Sequence, residues 1–245
     1  MSYLTPIIRR VYRRALPSSI RECPSVLKLK QLILEQVLGH NAIYDLDYYA
    51  DTVEGPAIRS AGVISESIIL DLKPRTVVDV GCGTGALLEA LRQKGCHVLG
   101  FEYSEDALKY CRRRELDVLK FDLEKETLKD DRTFDVTISM EVAEHLPERI
   151  ADRYVDLLTC LSSIIVFTAA HPGQGGTDHV NEQPASYWIS KFQARAFNYD
   201  VQMSTRWRNS WKATGVVARW YYENLMIFRR IQGTYVKRTA RSAAA

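Results

Sequence analysis

Residues 76–95 hold the chain's most constraining feature: a β-branched run, a glycine loop and an amphipathic helix in direct succession. Thr76-Val77-Val78-Asp79-Val80 is β-branched apart from Asp79 and reads as a buried strand. Gly81-Cys82-Gly83-Thr84-Gly85 follows as a tight turn. The run to Lys94 then places Leu87, Leu88 and Leu91 on one helical face, and Gly95 stands as its stop. Glycines at a strand-to-helix turn let backbone approach a ligand while the helix N-terminus points at it. Such a unit belongs in an open α/β sheet that binds a nucleotide-like molecule at the carboxyl ends of its strands.

Later segments repeat the pattern of strand, then acid. Cys96 to Phe101 reads as a second strand and ends in Glu102, where a carboxylate can accept from both hydroxyls of a ribose. Leu116 to Phe121 reads as a third and ends in Asp122, placed to accept from an adenine amino group. Phe134 to Met140 reads as a fourth and runs into Glu141. A dinucleotide fingerprint would space its glycines G-x-G-x-x-G. Here they fall G-x-G-x-G, which argues against a hydride-transfer cofactor.

With these landmarks in order, residues 57–170 resemble the class I S-adenosylmethionine-dependent methyltransferases; the 173–183 segment looks like that of methyltransferases of surface-polysaccharide and natural-product pathways, and Glu141-x-x-Glu144-His145 is similar to a pattern of ubiquinone-pathway O-methyltransferases. The resemblance implies a Rossmann-like α/β fold: a seven-stranded, mostly parallel sheet with helices on both faces and an antiparallel last strand. It implies cofactor contacts from Asp79, Gly81, Cys82, Gly83, Gly85, Glu102, Tyr103, Asp122, Leu123 and Met140. It divides the chain into a helical extension over 1–56, the methyltransferase domain over 57–232 and a disordered basic tail over 233–245. Strands near Asp200 to Thr205 and Leu225 to Phe228 are expected to finish the sheet as an antiparallel pair.

Two segments should meet at the carboxyl ends of the strands. One is Glu141 to Leu146; the other is Ala169 to Gln183, with three glycines in four residues at Gly173, Gly175 and Gly176. A hydroxyl acceptor must lose a proton during transfer, so a histidine is the natural general base. His145 and His179 are the candidates, with Glu141, His171, Asn181 and Trp188 expected around the acceptor. Tyr187, Trp207, Trp211, Trp220 and Tyr221 are read as core packing for the most part, with one or two at the site.

Glu141, Glu144 and His145 fall at i, i+3 and i+4, and on a helical turn these share a face. The triplet also resembles that of small-RNA 3′-terminal 2′-O-methyltransferases, which implies magnesium held by Glu141, Glu144, His145 and His179. Such triplets also arise easily on helix faces without holding a metal. An RNA ribose methyltransferase and a cofactor fold without turnover are therefore the alternatives to a small-molecule or glycan O-methyltransferase. No separate RNA-binding module is visible, and no Asn/Asp-Pro-Pro-Tyr tetrapeptide follows the fourth strand, so nucleic acid is not the expected partner.

Charge is uneven. Residues 1–30 carry a net +6 and residues 206–245 a net +8, leaving −11 on 31–205 within an overall +3. Thr5 and Pro6 open a helix with Ile7, Ile8 and Val11 on one face and Arg9, Arg10, Arg13 and Arg14 on the other. It would lie on an anionic membrane surface, cover an anionic substrate or dock on its own domain. A second helix is expected from Pro24, and an aromatic cluster, Tyr44 to Tyr49, is expected over the cofactor. Five cysteines without a C-x-x-C pair suit reduced thiols in the cytoplasm. No apolar run reaches the length of a membrane span, and the N-terminus has no apolar segment of the secretory kind.

Overall fold

The computed structural model describes residues 46–128 and 131–232. The helices expected from Thr5 and Pro24, Tyr44 and the basic tail lie outside the described residues. Among the described residues, no helix is long and apolar enough to cross a membrane.

Seven strands form one sheet in the order β3-β2-β1-β4-β5-β7-β6. They are β1 (Thr76–Val80), β2 (His97–Glu102), β3 (Val118–Lys120), β4 (Val136–Met140), β5 (Ile164–Thr168), β6 (Phe197–Tyr199) and β7 (Met226–Arg230). β7 is antiparallel to both neighbours, and every other pairing is parallel. The helices are α1 (Glu54–Leu72), α2 (Ala86–Gln93), α3 (Glu105–Arg113), α4 (Ala151–Leu161), α5 (Ala185–Gln193), α6 (Val201–Thr214) and α7 (Arg219–Asn224).

Strand side chains alternate between two cores, as a pleat of period two requires. Val78, Val80, Ile165, Phe167 and Phe228 join Tyr154 and Leu158 of α4 and Trp188 and Phe192 of α5 on one face. Val77, Val136, Ile138, Val166 and Ile227 join Ile64 and Ile68 of α1, Leu91 of α2 and Trp207 and Trp211 of α6 on the other. Strand order reverses between β1 and β4, which opens a crevice at their carboxyl ends.

The expected strand at Asp200 to Thr205 is a helix instead. Asp200 caps α6, accepting from Met203 N–H at 2.9 Å, while Ser204, Trp207 and Trp211 form its buried stripe. That 3–4 spacing overrides the short alternation around Val201 and Met203. The sixth strand comes earlier, at Phe197–Tyr199, and pairs with β7. Other differences lie at element ends. β3 is shorter than expected, Phe134 makes only an isolated bridge to Ser162, and a 3-10 turn at Glu148–Ile150 precedes α4. α1 begins at Glu54, running straight on from a π-helical turn at Tyr49–Val53, with Pro56 near the junction.

Because Asp200 also accepts from Arg229 Nε at 2.8 Å, it ties α6 to β7. Asp200→Ala should cost about 1 kcal/mol of stability, the usual worth of an N-cap. Urea unfolding would measure it, and an unchanged midpoint would show that the cap contributes nothing.

Candidate functional site

Four strand ends converge on a cavity of about 560 Å³. β1 delivers the glycine loop, and Gly81, Gly83 and Gly85 all have positive φ, at 80°, 55° and 79°. The turn is closed on β2, with the N–H groups of Gly81 and Cys82 both donating to Phe101 O, at 2.8 and 3.0 Å. Gly85 must remain glycine. A Cβ there would sit 2.6 Å from Leu116 Cδ1 and 3.1 Å from Cys111 Sγ. It packs against α3 and the segment beyond it, so of the cofactor residues expected from the sequence Gly85 alone does not line the cavity.

β2 ends in Glu102, whose Oε2 accepts from Gly83 N–H at 2.8 Å and Oε1 from Ser104 N–H at 2.7 Å. Asp79 lies on the floor beside it. Tyr103, Asp122, Leu123 and Met140 line the same space. A helical turn at Leu46–Tyr48 and a π-helical turn at Tyr49–Val53 bring Tyr48 and Tyr49 over it. Arg114 ties that cover to the loop by contacts to Glu54 (2.6 Å), Glu89 (2.8 Å) and Thr84 O (3.2 Å).

Burial raises the Asp79 carboxyl to about 7, with a further push from Glu102, and raises Glu102 itself to about 7. A carboxyl whose folded pKa exceeds its unfolded one stabilises the fold at low pH and loses that contribution as pH rises through the folded value. The ligand-free protein should therefore melt several degrees lower at pH 8 than at pH 5, at about 2–4 °C per kcal/mol for this size. Asp135, Asp152 and Asp200 shift downward, so their loss of stability is confined to more acid solution. Asp79→Asn should make the decline shallower. A slope as steep as wild type would remove Asp79 from this account.

The far side of the cavity holds Glu141, Glu144, His145 and His179, with Trp220 and Tyr221 of α7. Residues 141–145 are not one helix. Glu141 takes a left-handed φ of 56°, and only Ala143–His145 forms a 3-10 turn. The i, i+3, i+4 face expected for the triplet therefore does not form. Glu141 Oε1 accepts from Asn224 Nδ2 at 3.0 Å and Oε2 from Gln174 Nε2 at 3.2 Å. Glu144, His145 and His179 still meet, with one potential ligand atom from each within 4.8 Å of the others. Glu141 stays outside that trio. The Glu144 carboxyl is fully buried and neither oxygen has a hydrogen-bond partner. Burial and the neighbouring Glu141 push its pKa well above the carboxylate range. The two imidazole rings meet edge to face at 5.0 Å, and His145 Nδ1 lies 3.1 Å from Asp178 O.

Three residues expected around the acceptor lie elsewhere. Trp188 is buried in the core against Phe167. Asn181 is buried behind the site, its N–H donating to Glu144 O at 3.0 Å. His171 is exposed, held 3.2 Å from the carbonyl of Pro172. Trp207 and Trp211 are core residues too. Sequence reasoning missed Thr84, whose buried hydroxyl has no partner in the cavity wall, and the Asn224–Glu141–Gln174 network. Thr84 stood inside the glycine loop and could have been found there. The network joins residues up to 83 apart and leaves no local trace.

A family model described as a methyltransferase domain matches residues 78–164. The ubiquinone biosynthesis O-methyltransferase of Methylococcus capsulatus is 42% identical over 83 residues, 31% of this chain and 35% of that protein. That of Hahella chejuensis is 26% identical over 151 residues, 58% and 57% of the two chains. The chain thus spans between about a third and rather more than half of the length of these curated relatives. Among solved structures, magnesium protoporphyrin IX methyltransferase from Synechocystis PCC 6803 with bound SAH aligns with a TM-score of 0.57 at 15% identity, covering 83% of this chain and 99% of that one. The plantazolicin methyltransferase BpumL in complex with a pentazolic desmethylPZN analog and SAH also aligns at 0.57 and 15%, covering 86% and 100%. At such identities the likeness establishes the fold.

Proposed function

We propose, from the premise that the chain belongs to the class I S-adenosylmethionine-dependent methyltransferases, that it methylates a hydroxyl of an uncharged small molecule or sugar unit. The observation that carries the reading is the convergence of Asp79, the glycine loop, Glu102 and Asp122 on one cavity. The residues present fit the cofactor. Thr84 offers an unpartnered buried hydroxyl, and the space beside Gly83 is open, since a Cβ there would meet nothing nearer than Val53 Cγ1 at 4.0 Å. In this reading Glu102 holds the ribose, Asp122 the adenine and the glycine loop with Asp79 the methionine end. When bound, the cofactor supplies an activated methyl group on a sulfonium; the chain's own residues align the acceptor and manage its proton.

The far side of the cavity suits an uncharged acceptor. Lys125 is the only Lys or Arg among the described lining residues, and it pairs with Asp122 on the cofactor side at 3.1 Å. A phosphate or carboxylate close to the reacting atom would therefore meet no Lys or Arg among the described residues. His145 or His179 takes the acceptor proton as general base. A sugar-like acceptor is favoured by the likeness of the 173–183 segment to methyltransferases of polysaccharide pathways.

A second reading rests on the compact trio of Glu144, His145 and His179. One carboxylate and two imidazoles fit a transition ion such as zinc or manganese better than magnesium, which prefers oxygen ligands. An ion there would lower the pKa of the acceptor hydroxyl. Loss of activity in a chelator with rescue by manganese or zinc would support it, and indifference to the chelator would remove it.

Calorimetric titration with S-adenosylmethionine and S-adenosylhomocysteine, with NAD as control, tests the main reading. Micromolar binding of the first two without NAD is expected. Binding of neither would overturn it in favour of a fold without turnover.

A further inference from the structure

The carboxylate of Glu182 does not line the cavity, yet it gathers the loop that does. Its Oε2 accepts from Gly173 N–H at 2.8 Å, its Oε1 from Gly175 N–H at 2.7 Å, and Oε1 also meets His179 Nδ1 at 2.9 Å. The Glu182 and His179 side chains are 19% and 11% exposed, so solvent does not compete freely for the contact between them.

Gly176 closes the other side of the ring. A Cβ there would lie 2.2 Å from His179 Nε2 and 2.5 Å from Cε1, so the imidazole occupies the space a side chain would need. Beyond the ring, the N–H groups of Val180 and Asn181 both donate to Glu144 O, at 2.9 and 3.0 Å. The ring is thus pinched between a carboxylate and a glycine, on a backbone pinned to the turn that carries His145.

Both Glu182 oxygens accept from backbone N–H groups, so the carboxylate meets Nδ1 as an acceptor and requires a proton on that nitrogen; in the neutral imidazole Nε2 is then the unprotonated nitrogen. We propose that Glu182 is a positioning residue, which folds the loop 173–176 back on itself and fixes His179 as the Nδ1–H tautomer. The geometry stands by itself; its purpose rests on the methyltransferase reading, because a base and a metal ligand both need one nitrogen with a free lone pair. A carboxylate behind a functional imidazole commonly sets its tautomer in this way.

The test is the long-range ¹H–¹⁵N spectrum of the full chain labelled at its five histidines, recorded at about pH 8.5, above the ordinary imidazole range. His179→Gln assigns the resonance. Wild type should show a protonated Nδ1 and an unprotonated Nε2. In Glu182→Leu no acceptor remains for Nδ1–H, and the pattern should move toward Nε2–H. Gly176→Ala keeps Glu182 but displaces the ring, and should move it the same way. Affinity for S-adenosylhomocysteine should stay within about twofold in both variants, since neither residue lies on the cofactor side of the cavity.

A wild-type Nε2–H pattern overturns the proposal, and needs no variant to do so. A pattern unmoved by Glu182→Leu overturns it equally; should that variant not fold, Gly176→Ala decides in the same way. Should wild type fail to bind S-adenosylhomocysteine, the methyltransferase reading falls while the tautomer result stands.

Discussion

Of the alanine variants at His145 and His179, at least one slows methyl transfer about 10²- to 10⁴-fold, the range general-base catalysis supplies, while cofactor affinity is retained. Both side chains line the cavity on the side away from Glu102 and Asp122, and their rings touch edge to face. Removing either leaves the glycine loop and its bonds to Glu102 intact, so the loss should fall on the transfer step. The check is single-turnover transfer to the true acceptor, paired with titration of S-adenosylhomocysteine. Full activity in both variants would end the assignment of a histidine base. A variant that recovers with added manganese or zinc would instead favour the ion-assisted reading, since a weakened site can be refilled by mass action.

Glu102→Ala should weaken cofactor binding by about 1–3 kcal/mol, the worth of charge-assisted hydrogen bonds, or roughly fivefold to more than hundredfold in Kd. Two effects add. The ribose loses its acceptor, and the N–H groups of Gly83 and Ser104 lose the carboxylate that aligns them. Glu102→Gln keeps one acceptor and should fall between the two. Affinity unchanged in Glu102→Ala, read by calorimetry, would mean that the end of β2 does not face the ribose.

The first half of the sheet was legible because each landmark is local. A β-branched run, a glycine turn and an acid at a strand end sit within a few residues of one another, and β1, β2 and β4 stand close to where their patterns place them. The second half was harder. Val201 and Met203 alternate over too short a stretch to separate a strand from a helix, and the cap at Asp200 decides it only through Met203 N–H. In the site, the cofactor side was readable for the same reason. The acceptor side is assembled from distant pieces. The backbone turns left-handed at Glu141, a conformation no pattern announces, and so the expected helical face dissolves. Trp188 looked like a stacking platform because it follows the loop, but α5 turns it into the core. Glu182 was quoted only as part of a loop; its weight comes from three donors that the folded loop brings together.

The uneven placement of the tryptophans gives the protein a built-in optical reporter. All four lie among the described residues. Trp188, Trp207 and Trp211 are sealed in the two cores, while Trp220 lines the cavity and is 38% exposed. Occupants of the cavity should therefore alter the emission of one indole against a constant background from three. Fluorescence quenching, lost in Trp220→Phe, would then follow acceptor candidates directly and without any need for turnover.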